Sequence, residues 1–298
     1  MKSIASTKSQ GAILCLTLLA SLSPLTAQGT TSTPSATSQP AFVKAWPKLS
    51  KTESAKARKW LTQLASEDGE VTHKAVDQLS ELGAGAAPKL LRALGPRTED
   101  AHEGIKQALD RIVSRSHTQL LTKELKRSKL PAARQWIARF FATRPQQTER
   151  HHSLLKSLSE DKDEEVAFLA SLGLCGLDDF EHIGPVLERV KSDWRTHAKL
   201  ISKSLEPVRG SKAAIDWLAH NLRPANENDL IAALRLARSL CPKSHARMIQ
   251  IRLDSERQPV KKAAINALRA IVDGDAPLEN LSVFRAIDEA KKWKAREL

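Results

Sequence analysis

The sequence motif closest to a known catalytic signature is the pair His102 and Glu103. In zinc proteases such a pair opens a helix that supplies two imidazoles one turn apart, with the glutamate as general base. The second imidazole would fall at position 106, where this chain has Lys106. The adjacent His151 and His152 point in different directions on a helix, so they do not predict a ligand pair. We therefore expect no metal site.

No other arrangement of residues predicts catalysis. The glycine-rich run at residues 83–87 is not expected to bind phosphate, because phosphate-binding loops follow a buried strand and none precedes it. Acidic pairs such as Asp178 and Asp179 stand at predicted helix starts, where carboxylates favour the helix dipole. We can nominate no combination of Ser, His and Asp for a catalytic role. The expectation is a protein that is not an enzyme and has no cofactor.

The elements that position these residues are predicted to be helices. Aromatic residues make up only 4% of the chain, and there is no Tyr. Strand-rich folds favour aromatic and β-branched residues, whereas this chain is rich in Ala, Leu, Lys, Arg, Glu and Gln, which are good helix formers. The composition predicts an all-α protein.

Two series of apolar residues run through residues 50–276 in step. In each series one apolar residue, here called the anchor, recurs at a regular spacing. The anchors of the first series recur every 30 to 34 residues and are Leu79, Leu109, Phe140, Leu174, Leu205, Leu236 and Leu268. The anchors of the second series stand 14 to 16 residues earlier and are Leu64, Leu94, Leu125, Leu158, Val190, Leu222 and Leu253. Each anchor has another apolar residue four positions before it, which marks one side of an amphipathic helix. The two series predict about seven pairs of short antiparallel helices.

The helix pairs resemble HEAT repeats. The motif SEDGEV leads into a second helix and LGAGAAP leads to the next pair, within residues 61–113. SEDKDEEV at 159–166 and RQPVKKAAINALRAI at 257–271 are similar. The resemblance is to HEAT-like (armadillo-type) repeat proteins of a bacterial exported type. It implies an α-α superhelical solenoid over residues 50–276, whose second helices line a concave binding face. We expect residues 277–298 to form a capping helix, whose apolar stripe is Leu281, Phe284, Ile287 and Trp293.

The first 27 residues are predicted to be a signal peptide. Lys2 and Lys8 give a positive start, and the apolar run at 11–22 is too short to span a bilayer. Cleavage is expected after Ala27, and a buried core helix is the alternative interpretation. Residues 28–49 are rich in Ser, Thr and Pro, which is typical of a disordered linker. We expect the mature chain outside the cytoplasm, periplasmic or secreted, without a stable membrane anchor.

The exposed side of the second helices is predicted to be mixed or acidic in the first two pairs and mainly basic, with gaps, in pairs five to seven. Positions six and two before each first-series anchor, and one or two after it, face away from the buried side at about 100° per residue. The candidate binding residues there are Arg134, Lys199, Lys203, Arg238, Lys262 and Arg269. Leu230, Leu234 and Glu206 are expected to interrupt the basic part of this side. An ordinary solvated face is the alternative interpretation.

Two functions from different classes remain open. The first is a binding or scaffolding module that recognises a protein partner on its concave surface. The second is a binder of an anionic polymer, either an envelope polysaccharide or a nucleic acid, through the basic patch. The formal net charge of +13 favours an acidic partner. Neither function requires a small-molecule substrate.

The two cysteines beyond the signal peptide, Cys175 and Cys241, are expected to remain free thiols. They belong to the fourth and sixth predicted helix pairs, which places them about two helix layers, on the order of 20 Å, apart. A disulfide requires about 4.4–6.8 Å between the two Cα atoms. Each cysteine is therefore predicted to fill the core.

Overall fold

A computed structural model describes residues 43–95, 99–223 and 226–298, so the predicted signal peptide and most of the linker lie outside the described residues. Over these ranges the regular structure is helical, with no β-strand. The all-α class predicted from composition is therefore confirmed. Within the same ranges, no helix combines the length and the apolar character that crossing a bilayer requires.

Fifteen α-helices lie in the described residues, and short 3₁₀ turns join several of them. The first members of successive pairs are α1 (Lys51–Gln63), α3 (Ala87–Ala93), α5 (Thr118–Arg127), α7 (Glu149–Ser159), α9 (Gly184–Ser192), α11 (Lys212–Asn221) and α13 (Arg247–Gln250). The second members are α2 (Gly69–Glu81), α4 (Glu99–Ile112), α6 (Pro131–Thr143), α8 (Glu164–Cys175), α10 (Trp194–Leu205), α12 (Glu227–Leu240) and α14 (Gln258–Leu268). The last helix is α15 (Val283–Lys294).

The helices pack mainly against neighbours in the chain. Each odd-numbered helix from α1 to α13 contacts the even-numbered helix that follows it. Even-numbered helices also contact one another, α2 with α4, α6 with α8, α8 with α10, α10 with α12 and α12 with α14. Two contacts join helices that are further apart in the chain, namely α10 with α6 and α12 with α9. The chain therefore alternates between first and second helices, as the two apolar series predicted.

The two apolar series belong to the hydrophobic core. Every anchor of the first series is buried, and so is every residue four positions before one. In the second series, Trp60 and Leu154 are half-buried and the other members are buried. Burial of apolar surface stabilises the fold by roughly 25 cal/mol per Å² removed from water. This is why the spacing of these residues was sufficient to predict where the helices touch.

Side-chain caps set several of the helix starts. Ser50 and Glu53 form the predicted capping box of α1, because Ser50 N donates to Glu53 Oε2 at 2.8 Å and Glu53 N donates to Ser50 Oγ at 3.2 Å. Asp68 and Asp163 accept backbone N–H bonds at the starts of α2 and α8. Pro88 lies in the first turn of α3, where its missing N–H costs nothing.

Residues 43–49, predicted to be the end of the linker, pack against the helices. Trp46 stacks on His117 with the two ring centroids 5.2 Å apart. The segment passes so close to the turn before α3 that a Cβ on Gly85 would lie 2.9 Å from Pro47 O. Packing against the helices therefore includes residues that the linker composition predicted to be disordered, because the Trp46 ring gains a contact with His117.

The C-terminal helix buries only part of the stripe predicted for it. Of the predicted residues Leu281, Phe284, Ile287 and Trp293, Leu281 and Trp293 are buried and Ile287 is half-buried, whereas Phe284 is 83% exposed. The buried residues of α15 are Ala286, Ala290 and Trp293. At about 100° per residue these three share one side of the helix, and Phe284 falls on the opposite side. α15 packs against α14 through its alanine side.

Cys175 and Cys241 are both buried and free. Cys175 ends α8, and Cys241 directly follows α12. Burial raises the pKa of both thiols, to about 11 for Cys241. Because the thiolate is the reactive form of cysteine, both side chains are inert in the folded protein.

We expect neither cysteine to react with Ellman's reagent in the native protein at pH 8, and both to react once urea unfolds the chain. The reaction is followed by absorbance, and intact mass without reductant should show no intramolecular bridge. Fast labelling of one thiol at native pH, with circular dichroism unchanged, would contradict the burial described above.

Candidate functional site

Two clefts with cationic walls contain four of the six predicted binding residues. We name the first the Lys199 cleft, lined by Asp110, Arg139, Thr143, Arg144, Thr196, Lys199, Leu200 and Lys203. We name the second the Arg238 cleft, lined by Trp194, Arg195, Ile231, Arg235, Arg238, Pro259, Lys262, Ala263, Asn266, Pro277, Leu278 and Glu279. Helix α10 contributes to both clefts.

The Lys199 cleft lies where α10 meets α6, and three of its four cations have no ion pair in the part of the chain that the structure describes. Arg144 is already engaged, since its Nη1 lies 3.8 Å from Asp110 Oδ1 and its guanidinium lies over the Phe140 ring at 4.6 Å. The remaining cations of the cleft are Arg139, Lys199 and Lys203, and all three are exposed. None of the three has an ion pair among the described residues. The acidic residue of the cleft, Asp110, is therefore paired with Arg144, whereas most of the positive charge of the cleft is not neutralised by the described residues.

The Arg238 cleft places two arginines of α12 beside the first turn of α10. The Arg238 guanidinium lies 5.6 Å from the centroid of the Trp194 ring, a cation–π contact. Its Nε is shielded from solvent and has no hydrogen-bond partner in the described structure. Arg235 Nη1 donates to Val190 O at 2.8 Å. Burial lowers the pKa of both arginines, because it removes water from the charged groups.

The rest of the Arg238 cleft adds charge and a rigid wall. Arg195 and Lys262 make no ion pair within the described chain, and Glu279 is the one acidic residue in the lining. The wall is held by Asn266, which donates from Nδ2 to Leu278 O at 3.3 Å and accepts from Leu278 N at 2.8 Å. The cleft therefore has four cations beside an apolar wall whose position is held by hydrogen bonds.

The structure uses the other two predicted residues differently. Arg134 forms an ion pair with Asp161. Arg269 Nη2 lies 2.9 Å from Asp275 Oδ2, and Arg269 Nε donates to Ala276 O at 3.2 Å. Both guanidiniums are occupied by the chain itself and lie outside the two clefts. Helical position predicted that they face away from the core but could not reveal these acidic partners.

Two leucines predicted to interrupt the basic face belong to the core. Leu230 and Leu234 are buried. Helix α12 contacts α9, α10, α11 and α14, so more than one of its sides is covered. The prediction assumed a single buried stripe on each second helix and was wrong for α12.

Sequence reasoning predicted only Arg238 and Lys262 of the Arg238 cleft and missed, among others, Trp194, Arg195 and Arg235. A signal for Arg235 was present, because residues three apart on a helix share a side and Arg235 precedes Arg238 by three. Trp194 and Arg195 gave no such signal. They open α10, and only packing of α10 against α12 brings them to the cleft.

The sequence matches no protein-family model and no curated protein. The class of the protein is therefore described from its secondary structure and its two clefts. It is an all-α protein in which one helix, α10, contributes to two clefts lined mainly by cations that have no ion pair in the described residues.

Proposed function

We propose that this protein is a non-enzymatic binding module that acts outside the cytoplasm and recognises an acidic segment of a partner protein. One observation carries the proposal, namely the group of cations that line the two clefts without an ion pair in the described residues. This group consists of Arg139, Lys199, Lys203, Arg195, Arg235, Arg238 and Lys262.

An unpaired arginine in a partly buried site loses solvation without electrostatic compensation. Arg235 and Arg238 are in this situation, because burial lowers the pKa of each and neither has a carboxylate partner in the described chain. A carboxylate of a ligand would supply charge-assisted hydrogen bonds, which are shorter and stronger than neutral ones. The arrangement thus favours an anionic ligand.

The walls of the Arg238 cleft favour a polypeptide over a uniform polyanion. Trp194, Ile231, Pro259 and Leu278 place apolar surface next to the cations. Acidic proteins offer carboxylates interleaved with apolar side chains, whereas a polysaccharide or phosphate chain offers mostly charge and hydroxyls. Apolar and aromatic surface of this kind is typical of the central part of protein interfaces.

The architecture that we propose is a HEAT-like solenoid of about seven helix pairs. Its support is the repeat of 30 to 34 residues in the sequence and the packing of each first helix on its second helix. In this architecture the even-numbered helices form the concave face, and both clefts are built mainly from them. Action outside the cytoplasm rests on the signal-peptide features of residues 1–27.

The triple variant Lys199→Glu, Lys203→Glu and Lys262→Glu tests the proposal. The probes are a fluorescent copolymer of glutamate and tyrosine, and dextran sulfate as a purely charged polymer, with binding measured by fluorescence anisotropy. The original protein should bind the copolymer, and the triple variant should bind it at least tenfold more weakly. Affinity should fall as salt is raised, because the contacts are between charges.

A matched control places the same charge reversal on first helices. Lys123, Lys126 and Lys156 are exposed on α5 and α7 and have no ion pair in the described structure. Their triple change to Glu should alter copolymer affinity less than threefold. Equal losses from both triples would show bulk charge attraction and overturn the site. Tighter binding of dextran sulfate than of the copolymer would favour the anionic polymer instead.

A further inference from the structure

Four side chains with metal-ligating atoms meet between α7 and the turn that joins α8 to α9. Asp179 Oδ2 lies 2.9 Å from His152 Nε2 and 4.0 Å from His182 Nε2. Ligand atoms of Asp179, Glu181 and His182 all lie within 4.8 Å of one another. The cluster lies on different elements from the two cationic clefts and is independent of the function proposed above.

The turn holds Asp179 and His182 in place. Asp179 Oδ1 accepts the N–H of Glu181 at 3.0 Å, which leaves Oδ2 directed to the two histidines. The preceding Asp178 has a φ of 72°, a left-handed conformation that is uncommon for a non-glycine residue, and its carboxylate accepts a hydrogen bond from Ser211 Oγ. The backbone is therefore constrained on both sides of Asp179.

One ring nitrogen of His182 is buried without a hydrogen bond in the described structure. Its Nε2 is shielded from solvent and has no hydrogen-bond partner among the described residues. A buried nitrogen without a partner is unfavourable, because it has lost its hydrogen bond to water. A cation beside Asp179 would use the lone pair of this nitrogen.

We propose that Asp179, Glu181 and His182 bind a divalent transition-metal cation, with Zn²⁺ as the reference ion. Zinc forms bonds of about 2.0–2.2 Å to imidazole nitrogen and carboxylate oxygen, so ligand atoms around a tetrahedral ion lie about 3.3–3.6 Å apart. The ligand atoms of Asp179, Glu181 and His182 lie within 4.8 Å of one another, so they would have to move closer together around such an ion. Water completes the coordination.

His152 is a positioning residue in this site. Its Nε2 lies 2.9 Å from Asp179 Oδ2, and hydrogen bonds of this kind orient ligating carboxylates. The imidazole ligand determines the class of the metal, because imidazole suits zinc, copper and nickel whereas calcium and magnesium prefer oxygen ligands alone.

The sequence did not predict this site. His102 and Glu103 were rejected because a second imidazole is missing one turn later. The cluster instead joins position 152 to positions 179–182, a separation that belongs to no local metal-binding motif. Only the packing of α7 against α8 brings His152 to the turn.

Isothermal titration of the full chain with ZnCl₂ tests the proposal. One equivalent of zinc should bind, and the changes Glu181→Gln and His182→Gln should each weaken binding at least tenfold, with circular dichroism unchanged. Substituting Co²⁺ for zinc should give visible absorption bands that the His182→Gln variant lacks. Magnesium and calcium should compete poorly.

His73 and Asp77 on α2 give the matched control, since they form a His–carboxylate pair at 3.7 Å on the surface. His73→Gln should leave zinc affinity unchanged. For the positioning role, His152→Ala should weaken binding about tenfold, and His152→Gln, which still donates to Asp179, should restore most of it. Unchanged affinity in His182→Gln, or an equal loss in His73→Gln, would overturn the site.

Discussion

Leu174→Asp is expected to abolish the native fold. Leu174 is fully buried in α8, and α8 packs against α6, α7, α9 and α10. The substitution removes an apolar side chain and places an unpaired carboxylate among these helices. Burying an unpaired charge is among the few single changes that destabilise by more than about 4 kcal/mol. Because typical domains are stable by about 5–15 kcal/mol, most or all of the stability should be lost.

The measurement is urea and thermal unfolding followed by circular dichroism at 222 nm. Phe284→Asp is the control, because it introduces the same charge at a side chain that is 83% exposed. This variant should unfold within about 0.5 kcal/mol of the original protein, as exposed substitutions usually do. A melting curve for Leu174→Asp that superimposes on that of the control would show that α8 is not at the centre of the core.

Stability is expected to fall as the pH falls from 6.5 to about 4, because of His151. This side chain is only 3% exposed, and its ring lies edge-on to Phe141 at 5.4 Å. Neither ring nitrogen has a hydrogen-bond partner of good geometry in the described structure, and the nearby Phe141 backbone offsets only part of the cost of burial. Burial lowers the pKa of His151 from 6.5 to about 4.

The sign of the effect follows from proton uptake. The unfolded chain protonates this histidine near pH 6.5, whereas the folded protein does so only near pH 4. Between these values the unfolded state binds more protons, so acid favours unfolding. The neutral, buried His151 makes its full contribution to the free energy of unfolding above pH 6.5. About 3 kcal/mol of that free energy is lost when the pH reaches 4.

The variant His151→Leu should remove this pH dependence, since leucine does not titrate and is suited to the buried position. The free energy of unfolding, measured by urea titration at half-unit steps from pH 4 to 7, should change much less over this range, and the change that remains near pH 4 comes from carboxylates such as Asp77, whose pKa is lowered by its hydrogen bond from Arg111. His245→Gln changes an exposed histidine and should keep the slope of the original protein. Identical slopes in the two variants would mean that another group causes the acid sensitivity.

The local pattern of the sequence predicted the core more completely than the candidate site. An anchor such as Leu205 and its partner Ile201 lie one turn apart, so their shared side follows from helix geometry alone. Prediction failed where a helix has more than one covered side, as for Leu234 on α12. It also failed at Phe284, which lies on the exposed side of α15, although Trp293 of the same predicted stripe is buried beside the alanines.

The sequence by itself determined the helical class, the spacing of the helix pairs and the repeated buried positions of the two apolar series. These features depend on contacts within one turn or between adjacent helices, and the period of apolar residues records both. The tertiary structure alone decided which cations remain unpaired. Arg134 is neutralised by Asp161, 27 residues away, and Arg238 gains Trp194 from an earlier helix. Such pairings depend on how separate helices pack, so charge and helical position could identify candidates but could not distinguish occupied cations from free ones.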